Sequence, residues 1–159
     1  MSFAIVPAAP EDAPALAALH AAALPPGWPA ADFAAYCGEA NRLVLLARDG
    51  GRLLGLAAVQ IAADEAEILS IAVAAEARRR GLGSAMVAAC IESCEATSVS
   101  TIFLEVAEGN RAALALYEKM GFSLLSRRAD YYQGGRSAPE AALVMRLDTK
   151  WANRPINTN

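Results

Sequence analysis

A chain of 159 residues with 55 % hydrophobic content has enough apolar surface for one packed core and too little length for two ordinary domains. Charged residues make up 19 % and the formal net charge is −3, so the whole-molecule field excludes the broad basic footprint expected of a nucleic-acid binder; positive charge is local, at Arg78 to Arg80 and at Arg127-Arg128. No window approaches roughly 18 uncharged apolar residues, and the opening Met1 to Pro7 lacks a basic region followed by a long apolar stretch, so a cytoplasmic protein without a membrane partner is expected.

The opening Phe3 to Val6 reads as a short strand, and the alanine-rich Asp12 to Leu24, with Leu16 and Leu19 one turn apart, reads as a helix. His20 lies one turn after Leu16 and reads as a packed or half-exposed helix residue, with no partner identifiable nearby. Pro25 to Pro29 breaks the helix, and a second one is expected over Ala30 to Cys37. Three strand candidates follow, Leu43 to Arg48, Leu53 to Ile61 and Glu67 to Val73, with Asp49-Gly50-Gly51 supplying hairpin chemistry between the first two. Met86, Val87, Cys90, Ile91 and Cys94 recur at three- and four-residue spacing and mark an amphipathic helix from Ser84 to Ala96.

Thr101 to Val106 then reads as a strand, Asn110 to Met120 as a helix stopped by Gly121, and the chain closes with strands near Ser123 to Tyr131 and Ala141 to Leu147 around the turn-rich Gln133 to Pro139. Residues 1–148 form the expected single domain, and 149–159 are expected to be a mobile tail. Three cysteines, Cys37, Cys90 and Cys94, are too few and too odd in number for a disulfide framework, and with His20 as the lone histidine no tetrahedral metal set assembles by spacing.

Two constellations carry chemistry. Arg78-Arg79-Arg80-Gly81-Leu82-Gly83 joins the strand ending at Val73 to the helix near Ser84. Glycines there let a ligand approach the backbone, and the first free N–H groups of the helix point toward an anion. Three cations at a helix N-terminus are mildly unfavourable unless a polyanionic ligand reverses the sign. The plain alternative is a strand-to-helix turn with a solvated basic rim. A dinucleotide-binding Rossmann domain also places Gly-x-Gly after a strand, but Met86 stands where its third glycine belongs and antiparallel strands precede the motif. In the second constellation Glu105 falls near a strand end, Asn110 in the first turn of the next helix and Tyr117 two turns further on nearly the same face. Taken singly, these residues also read as a solvated strand-end charge, a helix cap and a core aromatic with a wet hydroxyl, and the plain readings weaken when all three occur beside an anion-binding turn.

With Arg78, Gly81 and Gly83 meeting its acetyl-CoA signature Arg/Gln-x-x-Gly-x-Gly/Ala, the sequence resembles the GNAT superfamily of N-acetyltransferases. Leu104-Glu105-Val106, Asn110, Tyr117, Gly121-Phe122, Arg127-Arg128 and Tyr131-Tyr132 make it look most like the RimI-type ribosomal-protein-alanine acetyltransferases. The resemblance implies an α/β fold, a mixed and mostly antiparallel sheet flanked by helices with one strand-helix-strand crossover carrying the acetyl-CoA site. It further implies that Ile71, Ala72 and Val73 pair with the pantetheine arm, that a backbone N–H near Val73 serves as an oxyanion donor, and that Arg79, Arg80, Gly81, Leu82, Gly83 and Ser84 cradle the pyrophosphate.

Asn110 would hydrogen-bond the cofactor arm, Glu105 would act as general base and Tyr117 would protonate the leaving thiolate, with Trp28, Tyr131 and Tyr132 on the acceptor side. The implied acceptor is the N-terminal alanine of a small-subunit ribosomal protein, with no metal and no direct nucleic-acid contact. A small amine acceptor, or a catalytically silent acyl-CoA sensor, is the alternative expectation; the proton-transfer pair speaks against the sensor.

Overall fold

The computed structural model describes the backbone of residues 2–132 and 140–152 and, apart from 130–132, their side chains. Strand β1 (Ala4–Pro7) is followed by helices α1 (Ala13–Ala23) and α2 (Ala30–Gly38), by the strands β2 (Arg42–Asp49), β3 (Arg52–Ala62) and β4 (Glu65–Val73), by helix α3 (Leu82–Ala96), strand β5 (Thr101–Ala107), helix α4 (Arg111–Lys119) and the closing pair β6 (Ser123–Tyr132) and β7 (Glu140–Asp148). The seven strands form one sheet in the order β1-β2-β3-β4-β5-β7-β6. Every neighbouring pair is antiparallel except β4 with β5, which α3 joins as a crossover. The mixed, mostly antiparallel α/β architecture expected from the sequence is the one observed.

Period-two alternation distributes the strand residues between two helix layers. Val44, Leu46, Leu56 and Ala72 face α1 and α2, where they enclose Leu16 and Phe33, both at 0 % exposure. Leu45, Ala57, Val59, Ile68 and Leu104 face the other way and pack on Met86, Val87, Cys90 and Cys94 of α3. Because both faces of β2 and β3 are covered, their apolar runs are continuous instead of alternating with polar residues. Asp12 ties the start of α1 to the sheet, accepting from the Ala9 amide at 2.8 Å and pairing with Arg48 of β2.

Most boundaries shift by a residue or two from expectation, and two of the differences carry consequences. Helix α3 begins at Leu82, two residues before Ser84, because Gly81 at φ 79° completes the turn by itself. The segment past Asp148 does not leave the domain at once. Thr149 is buried and its hydroxyl donates to the Val99 carbonyl at 2.6 Å, while the Trp151 indole donates to the Glu95 carbonyl at 2.8 Å. The expected mobile tail therefore cannot start at 149: two side-chain donors fasten the chain to the end of α3. Residues 153–159 lie outside the described part.

Candidate active site

The site originates in a break between β4 and β5. Parallel pairing runs from Glu65 opposite Thr101 to Ile68 opposite Leu104 and goes no further. At the same point β4 bulges: Val59 of β3 faces Ile68, but its neighbour Ala58 faces Ser70, leaving Leu69 as an extra residue. Such an insertion bends a strand locally. Ile71, Ala72 and Val73 remain paired with Ala57, Leu56 and Gly55 of β3, while their opposite edge, toward β5, carries no ladder. The opening is a cavity of about 260 Å³ lined by Ser70 and Ile71 of β4, Glu105 and Val106 of β5, Asn110 just ahead of α4, Ala113 and Tyr117 of α4, and Leu24 just beyond α1. Since α1 packs on one face of the sheet and α4 beside α3 on the other, the cavity draws its walls from both sides.

Glu105, Asn110, Tyr117 and Ile71, which the sequence placed on three separate elements, thus meet around one space. The Glu105 side chain is 29 % exposed, and its Oε1 accepts from Arg128 Nη1 at 2.8 Å. On the same sheet face an acidic groove of about 330 Å³ continues past Glu65, Glu67 and Phe103. Burial, with a smaller contribution from the neighbouring Cys90, pushes the Tyr117 hydroxyl above its ordinary pKa of 10.0, so the group holds its proton at neutral pH. Its ring stands edge-on to Phe122 at 5.9 Å. Asn110 caps α4 by accepting the Ala113 amide at Oδ1, 3.2 Å away. The cap uses the oxygen and leaves the Nδ2 amide as a donor.

The turn between β4 and α3 holds two left-handed residues, Arg79 at φ 60° and Gly81 at φ 79°. A non-glycine residue in that region is uncommon and needs surroundings that enforce it. No side chain caps the N-terminus of α3. A Cβ at Gly81 would meet nothing within 4 Å, so the space over the turn is open, whereas a Cβ at Gly83 would press on Leu116 Cδ2 at 3.2 Å. The Leu82 side chain is buried, and a ligand at this turn would meet its backbone. Uncapped first-turn amides with open space above Gly81 fit the diphosphate of acetyl-CoA. The free edge of β4 likewise fits the amides of its pantetheine arm. Arg80 lies apart, lining a separate cavity with Asp49, Arg52 and Glu76, and Arg78 Nε donates to the Val73 carbonyl at 3.3 Å.

Trp28 packs at tilted and edge-on angles against His20, Phe33 and Tyr36 at ring distances of 4.7, 5.5 and 5.7 Å and lines a second cavity of about 360 Å³ with His20, Leu24, Leu69 and Ser70. The backbones of Tyr131 and Tyr132 belong to β6; their side chains, like the whole Gln133 to Pro139 turn, lie outside the described residues. Among the described residues no group of three His, Cys, Asp or Glu side chains is placed to hold a metal ion. Sequence reasoning missed the partners of two site residues, Arg128 of Glu105 and Ser70 of His20, which lie 23 and 50 positions away.

The profile of the Acetyltransferase (GNAT) family matches residues 13–122, from the start of α1 to Phe122. The chain belongs to this family. Like other GNAT proteins of known structure, it carries the mixed sheet with the β4-α3-β5 crossover. It is 37 % identical over 122 residues, 76 % of this chain and 80 % of the relative, to the [ribosomal protein bS18]-alanine N-acetyltransferase of Escherichia coli K12. The crystal structure of the E. coli ribosomal-protein-alanine N-acetyltransferase superposes with a TM-score of 0.88 at 30 % identity, covering 99 % of both chains. An IAA acetyltransferase from Bacillus cereus superposes at 0.76 with 22 % identity over 92 % of this chain and 99 % of its own, a likeness of fold alone. The GNAT chain is an N-acetyltransferase.

Proposed function

We propose that the chain acetylates the N-terminal alanine of ribosomal protein bS18, with acetyl-CoA as donor. The observation that carries the reading is the junction of Glu105 and Tyr117 in one cavity beside the open edge of β4. The E. coli relative named for this substrate, 37 % identical, supports the choice of acceptor. The amides from Arg79 to Ser84 would hold the diphosphate, Ile71 to Val73 would pair with the pantetheine arm, and Asn110 Nδ2 would donate to it. Acetyl-CoA supplies an acyl carbon activated as a thioester.

Glu105 takes a proton from the acceptor amine, directly or through one water, because only the free base has a lone pair to offer. Tyr117 gives its hydroxyl proton to the departing sulfur, and a backbone N–H near Val73 stabilises charge on the acyl oxygen. An α-amine, with a reference pKa of about 8 against about 10.4 for lysine, is easier to deprotonate at neutral pH by roughly 3 kcal/mol. The groove holding Glu65 and Glu67 beside Glu105 suits a cationic segment following that amine. Trp28 and the Tyr131-Tyr132 pair would flank the acceptor. The reading entails one catalytic domain, a cytoplasmic setting, and neither nucleic acid nor membrane as direct partner.

The test is to incubate the protein with acetyl-CoA and a panel of N-terminal peptides, lysine peptides and small amines, and to read products by mass spectrometry. Acetylation of the alanyl peptide of bS18 ahead of the rest is the expected result. Preference for a small amine over every peptide would overturn the acceptor.

A further inference from the structure

His20 is buried to 3 % exposure and accepts at Nδ1 from the Trp28 backbone N–H at 2.8 Å. The approach is enforced by Gly27, at φ 77°: a Cβ there would lie 2.6 Å from the Ala21 Cα, so only glycine lets this loop settle on α1. With Nδ1 occupied as an acceptor, the neutral imidazole must carry its proton on Nε2. Burial lowers the His20 pKa, in keeping with a neutral ring. Nε2 lies 2.8 Å from Ser70 Oγ, and the tautomer makes the imidazole the donor of that bond.

The Ser70 hydroxyl proton is thereby turned away from His20, and among the described residues it has no acceptor. Ser70 is also, with Leu24 and Leu69, common to the cavity containing Glu105 and Tyr117 and the cavity containing Trp28. An oriented donor without an acceptor stands where the two spaces meet. His20 cannot serve as a base here, since its one lone pair is engaged by Trp28.

We propose that Ser70 orients the acceptor, donating its hydroxyl proton to the carbonyl oxygen of the aminoacyl residue being acetylated, and that His20 is a positioning residue which fixes that hydroxyl. The inference rests on the N-terminal acceptor proposed above and adds how it is told from other amines. An α-aminoacyl group carries its carbonyl next to the carbon bearing the amine. Holding the oxygen at Ser70 and the amine proton at Glu105 therefore restrains both ends of one short unit. A lysine ε-amine has no carbonyl within that reach and gains nothing from Ser70. The specificity arises from a half-buried, oriented donor that an incorrect acceptor leaves unpaired.

The experiment compares Ser70→Ala and Ser70→Thr with the unaltered chain on an alanyl peptide and on the same peptide carrying an alkene in place of its first peptide bond. Ser70→Ala is expected to lower kcat/KM for the alanyl peptide on the order of tenfold, the value of one hydrogen bond. It should leave the KM for acetyl-CoA unchanged and take nothing further from the alkene analogue; Ser70→Thr should restore much of the loss. His20→Gln, which can accept from Trp28 and donate to Ser70, should retain activity that His20→Leu loses. An equal loss on both peptides, no loss on either, or a raised KM for acetyl-CoA overturns the proposal while leaving the functional reading intact. An unaltered chain that ignores every alanyl peptide overturns that reading and this inference together.

Discussion

The proposed donor side and the proposed acceptor side of the cleft are built by different means. The donor side is almost wholly backbone: the free edge of β4, two left-handed residues and the uncapped start of α3, all within residues 71–84. The acceptor side is made mostly of side chains drawn from distant parts of the chain, with His20, held by the Trp28 backbone N–H, reaching Ser70, and Arg128 reaching Glu105. A backbone site binds one invariant group and depends on φ and ψ more than on side-chain identity. A side-chain site can change acceptor with few substitutions.

Changes in the two regions should separate in kinetics. The largest effect belongs to the chemistry between them: Glu105→Gln combined with Tyr117→Phe should lower kcat by about 100-fold or more, with binding of acetyl-CoA measured by calorimetry unaffected. Unchanged turnover in that variant would sink the catalytic assignment. Next comes Gly81→Val on the donor side. A β-branched residue forced to φ 79° costs about 1–2 kcal/mol or more, so affinity for acetyl-CoA should fall roughly tenfold while the KM for peptide holds. If the peptide KM rose instead, the division between the two sides would be wrong. Trp28→Ala should do the converse, raising the peptide KM several-fold by about the value of one aromatic contact and leaving acetyl-CoA binding alone.

The smallest effect concerns the dry layer behind the donor side. Burial pushes the Cys90 thiol from its ordinary 9.0 up to about 12 and Cys94 to about 11. Both keep their protons in the folded chain after the unfolded chain has lost them. Their contribution to stability is therefore whole below about pH 9 and disappears as pH rises through 11 and 12. The thermal midpoint should decline over that window, and Cys90→Ala should decline less steeply whatever its starting value. Parallel curves for the two proteins would mean that the thiol is not shielded from water.

The same contrast explains what could be read from the sequence. Each strand and helix was visible because its signal is local: the three- and four-residue spacing from Met86 to Cys94, the glycines of the turn, the hairpin at Asp49-Gly50-Gly51. The grouping of Glu105, Asn110 and Tyr117 was visible because one strand-turn-helix unit carries all three. The His20 to Ser70 bond was hidden because its partners are 50 residues apart and neither stands in a motif. The docking of Thr149 and Trp151 was hidden for a related reason: the residues past Asp148 show no periodicity, and the two bonds go to the carbonyls of Val99 and Glu95 respectively, which no side-chain pattern announces.

The extra residue at Leu69 has a wider meaning. Had β4 continued straight, its outer amides could have zipped onto β5 and the sheet would have been completed by its own chain. The bulge leaves that seam unsewn, so the cosubstrate would serve as a temporary thread. Stability and turnover then make opposite demands on one length of backbone, and any change that mends the seam would yield a sturdier protein with no work to do.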